Sequence, residues 1–175
     1  MSQLEMFDNE GAWLRKLRGN WQETIKREAA ICPCCDRVGR INKYRLTKPL
    51  ALALRWMMVH GAGDGWVNVQ SKAPRWMLRS KSYPSLEYWG LVESKSKRSG
   101  IWRVTPKGVS FVTGSLMVPS AVYIYDANVM AWDAEQTSFC GCFDHSFDFD
   151  EMMSYTFDWS SLVIETRHKS KRSKA

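Results

Sequence analysis

Ser82-Tyr-Pro-Ser-Leu-Glu-Tyr-Trp-Gly90-Leu-Val-Glu93, the basic stretch Ser94 to Gly100, and then Ile101-Trp-Arg-Val-Thr-Pro-Lys-Gly108 form the segment that organises the rest of the chain. Ser82 with Pro84 marks a helix start, because proline in the first turn lacks only an N–H that would have no partner there. Gly90 ends that helix. Leu91-Val92-Glu93 and Ile101 to Val104 are β-prone, and the polar residues between them supply a turn. Two β segments joined by a turn after a short helix predict a hairpin packed on a helical unit. Thr105-Pro106-Lys107-Gly108 opens a further short helix that carries Phe111 back to the core.

Upstream, Thr47 as N-cap and Pro49 in the first turn predict a helix through Leu50, Leu54, Trp56, Met57 and Met58, ended by Gly61-Ala-Gly-Asp-Gly65. Val67-Asn68-Val69 predicts a very short strand, and Ser71 the cap of a second helix through Pro74, Trp76, Met77 and Leu78. From Ala12 to Ala30, Leu14, Leu17, Trp21 and Ile25 recur at helical spacing and predict one more helix. Downstream, Val122 to Tyr125 and Val129 to Trp132 flank Asp126-Ala-Asn128 as a second hairpin.

The pattern Leu86, Gly90, Leu91, Val92, Glu93, a basic loop, then Trp102, Val104, Thr105, Pro106, Lys107 and Gly108 resembles the winged helix-turn-helix superfamily over residues 47–111. The chain is also similar to small phage-encoded proteins that pair an N-terminal Cys-Pro-x-Cys knuckle with such a domain. The expected fold class is therefore α+β: a winged-helix core with an N-terminal helix, a candidate zinc knuckle and a small C-terminal β-hairpin extension. The expected divisions are 1–46 for the helix and knuckle, 47–114 for the winged helix, 115–165 for an acidic aromatic extension, and 166–175 for a disordered basic tail. The resemblance implies that the third helix enters the DNA major groove and that the wing touches backbone or minor groove. It directs Lys81, Ser82, Tyr83, Ser85 and Tyr88 toward DNA, and Leu86 and Trp89 toward the core. Arg75 and Arg79 before that helix, with Lys95, Lys97 and Arg98 in the wing, add phosphate contacts. The third helix offers no Arg, Asn or Gln for bidentate base contacts, which argues against strong direct readout.

Charge is segregated along the 175 residues: 37–107 carry fifteen Lys or Arg against Asp64, Glu87 and Glu93, whereas 126–165 carry nine acids and no Lys or Arg. The basic middle can attract a polyanion despite a net charge of only +7, because the field is local at a Debye length of about 8 Å. The longest apolar run, Pro49 to His60, contains Arg55 and falls short of the roughly 20 residues that cross a bilayer. The N-terminus lacks a secretory signal pattern, so a cytoplasmic location is expected.

Five cysteines at 32, 34, 35, 140 and 142 do not suit a secreted disulfide framework. Cys32-Pro33-Cys34-Cys35 contains the Cys-x-x-Cys spacing that brings two thiolates to a tetrahedral metal, although Asp36 stands where knuckles usually carry glycine. Cys140 and Cys142 could complete a structural zinc site with Cys32 and Cys35, with Cys34 and His145 as alternates. Buried or free thiols and redox chemistry are the competing readings.

His60 and His168 have no evident partner. Gly61-x-Gly-x-Gly65 follows a helix and lacks the Gly-Lys-Ser of a phosphate loop. Asp144 to Glu151 alternates acids with Phe147 and Phe149, as a solvated or intramolecular acidic face would; Asp148, Asp150 and Glu151 are candidates for protein contact. No nucleophile, base and orienting group recur at interpretable spacing, so no enzymatic activity is expected. The expectation is a nucleic-acid-binding protein, a transcriptional regulator of phage or bacterial type, its acidic region covering the basic domain or meeting a second protomer. The competing class is a phage-encoded interaction protein that inhibits a host protein machine.

Overall fold

The computed structural model describes residues 3–61, 63–143, 152–154 and 157–160. In chain order the elements are α1 (Gln3–Ile25), β1 (Ala30–Ile31), β2 (Val38–Gly39), β3 (Asn42–Arg45), α2 (Lys48–His60), β4 (Val67–Asn68), α3 (Val69–Lys72) and α4 (Arg75–Ser80). A 3₁₀ helix at Tyr83–Trp89 follows, then β5 (Val92–Ser94), β6 (Ile101–Val104), α5 (Pro106–Val112), β7 (Val118–Pro119), β8 (Ala121–Tyr125), β9 (Asn128–Trp132), β10 (Gln136–Thr137) and a 3₁₀ turn at Cys140–Cys142. The fold is mixed α and β with small antiparallel sheets. Among the described residues no helix is long and apolar enough to cross a membrane.

The chain divides into two units. The first takes the residues up to Tyr44 together with Ala121–Trp132; the second takes Arg45–Ser120 and the described residues from Asp133 onward. This differs from the sequence expectation, which placed the 121–132 hairpin in a C-terminal extension. The hairpin instead joins the N-terminal unit because β8 lies between β3 and β9 in one sheet.

In the first unit, α1 ends at Ile25, short of the expected Ala30, because Ala30 and Ile31 pair with Gly39 and Val38 in an antiparallel hairpin. Trp21 Nε1 donates to the Ala30 carbonyl at 3.2 Å, and its ring meets Tyr125 edge-on at 5.8 Å. Gly39 permits this packing, since a Cβ there would lie 2.9 Å from Trp21 Cη2 and 3.1 Å from Ile25 Cγ2. The β8–β9 hairpin turns on Asp126 and Ala127, both left-handed at φ 47° and 60°, the backbone of a type I′ turn.

In the second unit α2 is the central element. Leu50 to Met57 are all buried, as expected of a helix that is apolar around its whole circumference. Arg55 interrupts that run yet is only 3% exposed, and its Nη2 donates to the Met153 carbonyl at 2.6 Å. β4, β6 and β5 form a three-stranded sheet in the order β4-β6-β5, with Val67 opposite Trp102 and Val92 opposite Val104. β7 and β10 pair antiparallel; nearby, Leu46 N–H donates to the Ser120 carbonyl at 2.9 Å and Ser120 N–H to the Glu135 carbonyl at 2.8 Å.

Two sequence expectations change here. The second helix is broken into α3 and α4, because Pro74 cannot donate to the preceding turn and its ring excludes helical backbone at Ala73. Its cap is Asn68, whose side chain accepts from Ser71 N–H; Ser71 is therefore inside the helix and does not cap it. Thr47 does sit at the start of α2, but its hydroxyl makes no capping bond.

The Gly90 to Gly108 motif has a definite physical content. Thr105 Oγ1 accepts from Gly108 N–H at 3.1 Å, capping α5, and donates to the Gly90 carbonyl at 2.7 Å. Lys107 Nζ donates to the Trp89 carbonyl at 2.8 Å. Gly108 packs so closely that a Cβ would collide with the Leu91 carbonyl oxygen. Together these contacts fix the end of the 3₁₀ helix against the hairpin and α5.

Candidate functional site

The basic residues expected at a nucleic-acid face fall in two places of the second unit. Arg75 and Arg79 lie on α4, and Lys81 follows as its left-handed C-cap at φ 48°; all three are exposed. Lys95, Lys97 and Arg98 occupy the turn between β5 and β6 and are also exposed, with Arg98 left-handed at φ 65°. Among the described residues none of these six cations forms an ion pair, so their charge faces water.

The 3₁₀ helix between these groups is poorly equipped to read bases. Tyr83, expected to face outward, is a correction: it is only 9% exposed and its ring packs edge-on to Trp102 at 5.6 Å. The tight 3.0-residue turn after Pro84 directs it to the same side as Leu86 and Trp89, which are buried as expected. Burial holds the Tyr83 phenol above its ordinary range, and a hydrogen bond from Trp102 opposes that shift. Ser82 and Ser85 are half-buried and their hydroxyls are engaged locally: Ser85 Oγ donates to the Ser82 carbonyl at 2.7 Å, and Ser82 Oγ to Ser80 Oγ at 3.2 Å. Tyr88 is half-buried, and Glu87 is the exposed side chain of this helix.

The outer face of the β4-β6-β5 sheet carries a cluster that sequence reasoning did not single out. Glu93 and Arg103 are cross-strand partners and form an ion pair. The Arg103 guanidinium lies over Trp66 at 4.6 Å, with Lys95 Nζ 5.9 Å from the same ring. Period-two alternation around Trp102 and Val104 would have placed Arg103 outward, but its stacking on Trp66 depends on β4 and has no local signal.

Parts of the acidic region anchor to the second unit. Met152 is fully buried, and Trp76 Nε1 donates to the Trp159 carbonyl at 3.1 Å. His60, without an evident partner in the sequence, stacks on Trp56 at 4.6 Å and meets Trp159 edge-on at 6.4 Å. His145, Asp148, Asp150, Glu151 and His168, and the basic tail 166–175, lie outside the described residues.

The cysteines fall in both units. Cys32, Cys34 and Cys35 sit in the turn of the β1–β2 hairpin; Cys140 and Cys142 flank the 3₁₀ turn of the second unit. All five are free thiols. Cys32 N–H donates to the Arg37 carbonyl at 2.8 Å and Asp36 N–H to the Cys32 carbonyl at 3.0 Å, closing a tight loop. Asp36 adopts φ 57°, the left-handed backbone that glycine usually supplies after such a pair. The backbone amides of Cys34 and Cys35 donate to the Cys32 sulfur and hold its thiol below the ordinary range. Burial instead pushes Cys142 up to about 11. A pocket of about 370 Å³ opens beside the loop, lined by the three thiols, Arg18, Arg37 and Trp21 among others.

Comparison of the chain with protein-family models, with curated proteins and with solved structures finds no match.

Proposed function

We propose that the second unit is a winged helix-turn-helix domain that binds duplex DNA chiefly through its phosphates and serves transcriptional regulation. In this reading α2 is the first helix, α3 and α4 the broken second, the 3₁₀ helix the third, and the β5–β6 hairpin the wing. The observation that carries it is the set of six exposed cations, without an ion pair among the described residues, on α4, its cap and the wing tip. Cations without acidic partners are available to displace counterions from a polyanion. The engagement of Ser82 and Ser85 in local hydrogen bonds and the burial of Tyr83 favour backbone or shape recognition over base reading.

The test is a fluorescence-anisotropy titration of labelled duplex DNA across salt concentrations. If all six cations meet phosphates, the logarithm of the binding constant falls against log salt with a slope of about −5. Unrelated sequences bind within roughly tenfold of one another, since no bidentate base contact is made. Absence of binding, or affinity indifferent to salt, overturns the reading.

A further inference from the structure

We propose that the β1–β2 hairpin is half of a zinc site, in which Cys32 and Cys35 supply two thiolates and Cys34 supplies none. The proposal concerns the first unit and does not rest on DNA binding by the second.

The loop is shaped around the Cys32 sulfur. Closure at Cys32 N–H to Arg37 O and Asp36 N–H to Cys32 O winds residues 32–36 into one tight turn that carries both positions of the Cys-x-x-Cys pair. Thiolate is the form in which a cysteine binds metal, and metal binding itself releases the thiol proton. The Cys-x-x-Cys spacing, which brings two thiolates onto one tetrahedral metal, singles out positions 32 and 35 as the pair. Asp36 then turns the chain away at φ 57°, a left-handed backbone that an L-residue keeps only where the surroundings demand it.

Two further observations point to something bound beside the loop. The pocket of about 370 Å³ adjoins all three thiols and leaves space for donors from outside the hairpin. In the hairpin that holds the turn, Ile31 and Val38, directly cross-strand, are 65% and 68% exposed, an apolar pair that arriving donors would cover. Arg18 and Arg37 line the same pocket and would offset the net negative charge of a zinc tetrathiolate. Among the described residues no group of three or more His, Cys, Asp or Glu side chains is assembled for a metal, and a Cys-x-x-Cys pair is by its own ligand count half of a tetrahedral set. Zinc in a structural site takes four ligands, and a second thiolate pair is the chemistry that completes this one.

The experiment uses the full chain, purified under reducing conditions, stripped with chelator and reconstituted with Zn²⁺ or Co²⁺. Zinc content and the sulfur-to-cobalt charge-transfer absorption, whose intensity follows the number of thiolates, are read for wild type and single variants. Wild type and Cys34→Ser bind equally, whereas Cys32→Ser and Cys35→Ser each lose at least about tenfold in affinity. The source of the second pair shows in the same data: about one zinc per chain, lost in the Cys140→Ser/Cys142→Ser variant, identifies this chain's own cysteines. About half a zinc per chain with doubled mass identifies a second copy. Because a ligand variant could misfold, circular dichroism of the stripped wild type during cobalt titration gives a readout independent of mutation. Metal that leaves the stripped, folded wild type unbound, or Cys34→Ser failing as Cys32→Ser does, overturns the proposal.

Discussion

Substitution of Arg98 is expected to move stability and the proposed DNA binding in opposite directions. It holds φ 65° at the tip of the β5–β6 turn, exposed and without an ion pair among the described residues. A left-handed L-residue costs about 1–2 kcal/mol, and glycine removes that cost while adding about 0.5–1 kcal/mol of unfolded-chain entropy. Arg98→Gly is therefore expected to stabilise the chain by roughly 0.5 kcal/mol, whereas Arg98→Ala, which keeps the strain, does not. Under the proposed DNA-binding reading both variants lose one phosphate contact. With six contacts, raising salt from 50 to 200 mM weakens binding roughly 2,000-fold; with five, roughly 500-fold. Urea denaturation and salt-dependent anisotropy on the same preparations measure both quantities. A wild-type salt slope in the two variants, or an Arg98→Gly chain less stable than Arg98→Ala, refutes the reasoning.

Ala127→Gly relieves φ 60° in the β8–β9 turn and is expected to raise stability by about 0.5–1 kcal/mol in denaturant titration. Thr105→Val removes both the α5 cap and the bond to Gly90 and should cost about 1–2 kcal/mol, with Thr105→Ser within about 0.5 kcal/mol of wild type in thermal melts. Gly39→Ala forces Trp21 off the hairpin, costs about 1–3 kcal/mol and changes the tryptophan emission spectrum. For Tyr83 the folded phenol keeps its proton where the unfolded one, with a pKa of about 10, has lost it. Its contribution is therefore intact below that pKa and is lost as pH rises past it. Tyr83→Phe should flatten that part of the alkaline stability curve.

What the sequence made legible was what is encoded locally. Pro49 after Thr47 placed the start of α2, Thr105-Pro106-Lys107-Gly108 placed α5, and Asp126-Ala127 placed the second hairpin. Pro74 carried the information that α3 and α4 are separate, but its tolerance in a first turn obscured the break. Tyr83 was misplaced because a 3₁₀ helix presents side chains every third residue, so an α-helical face assigns it to the wrong side. The pairing of Asn42–Arg45 with β8 had no local signal, since its partner lies far along the chain and is chosen by burial and not by turn chemistry. For the candidate site, the cations were visible by charge alone. The engagement of Ser82 and Ser85, and the conformation of Asp36, depended on backbone geometry that composition does not specify.

The excursion of the chain at Ser120 and its return at Asp133 have a consequence during synthesis. The first unit owns the N-terminal residues but lacks two strands of its sheet until Trp132 has left the ribosome. At typical elongation rates that delay is on the order of ten seconds. For that interval β3 has an open edge and α1 a partner still to come, so α1 to β3 wait on strands made later. Cutting the chain between β7 and β8 would therefore divide both units at once, separating α1 to β3 from β8 and β9, and residues 45–120 from those after Asp133.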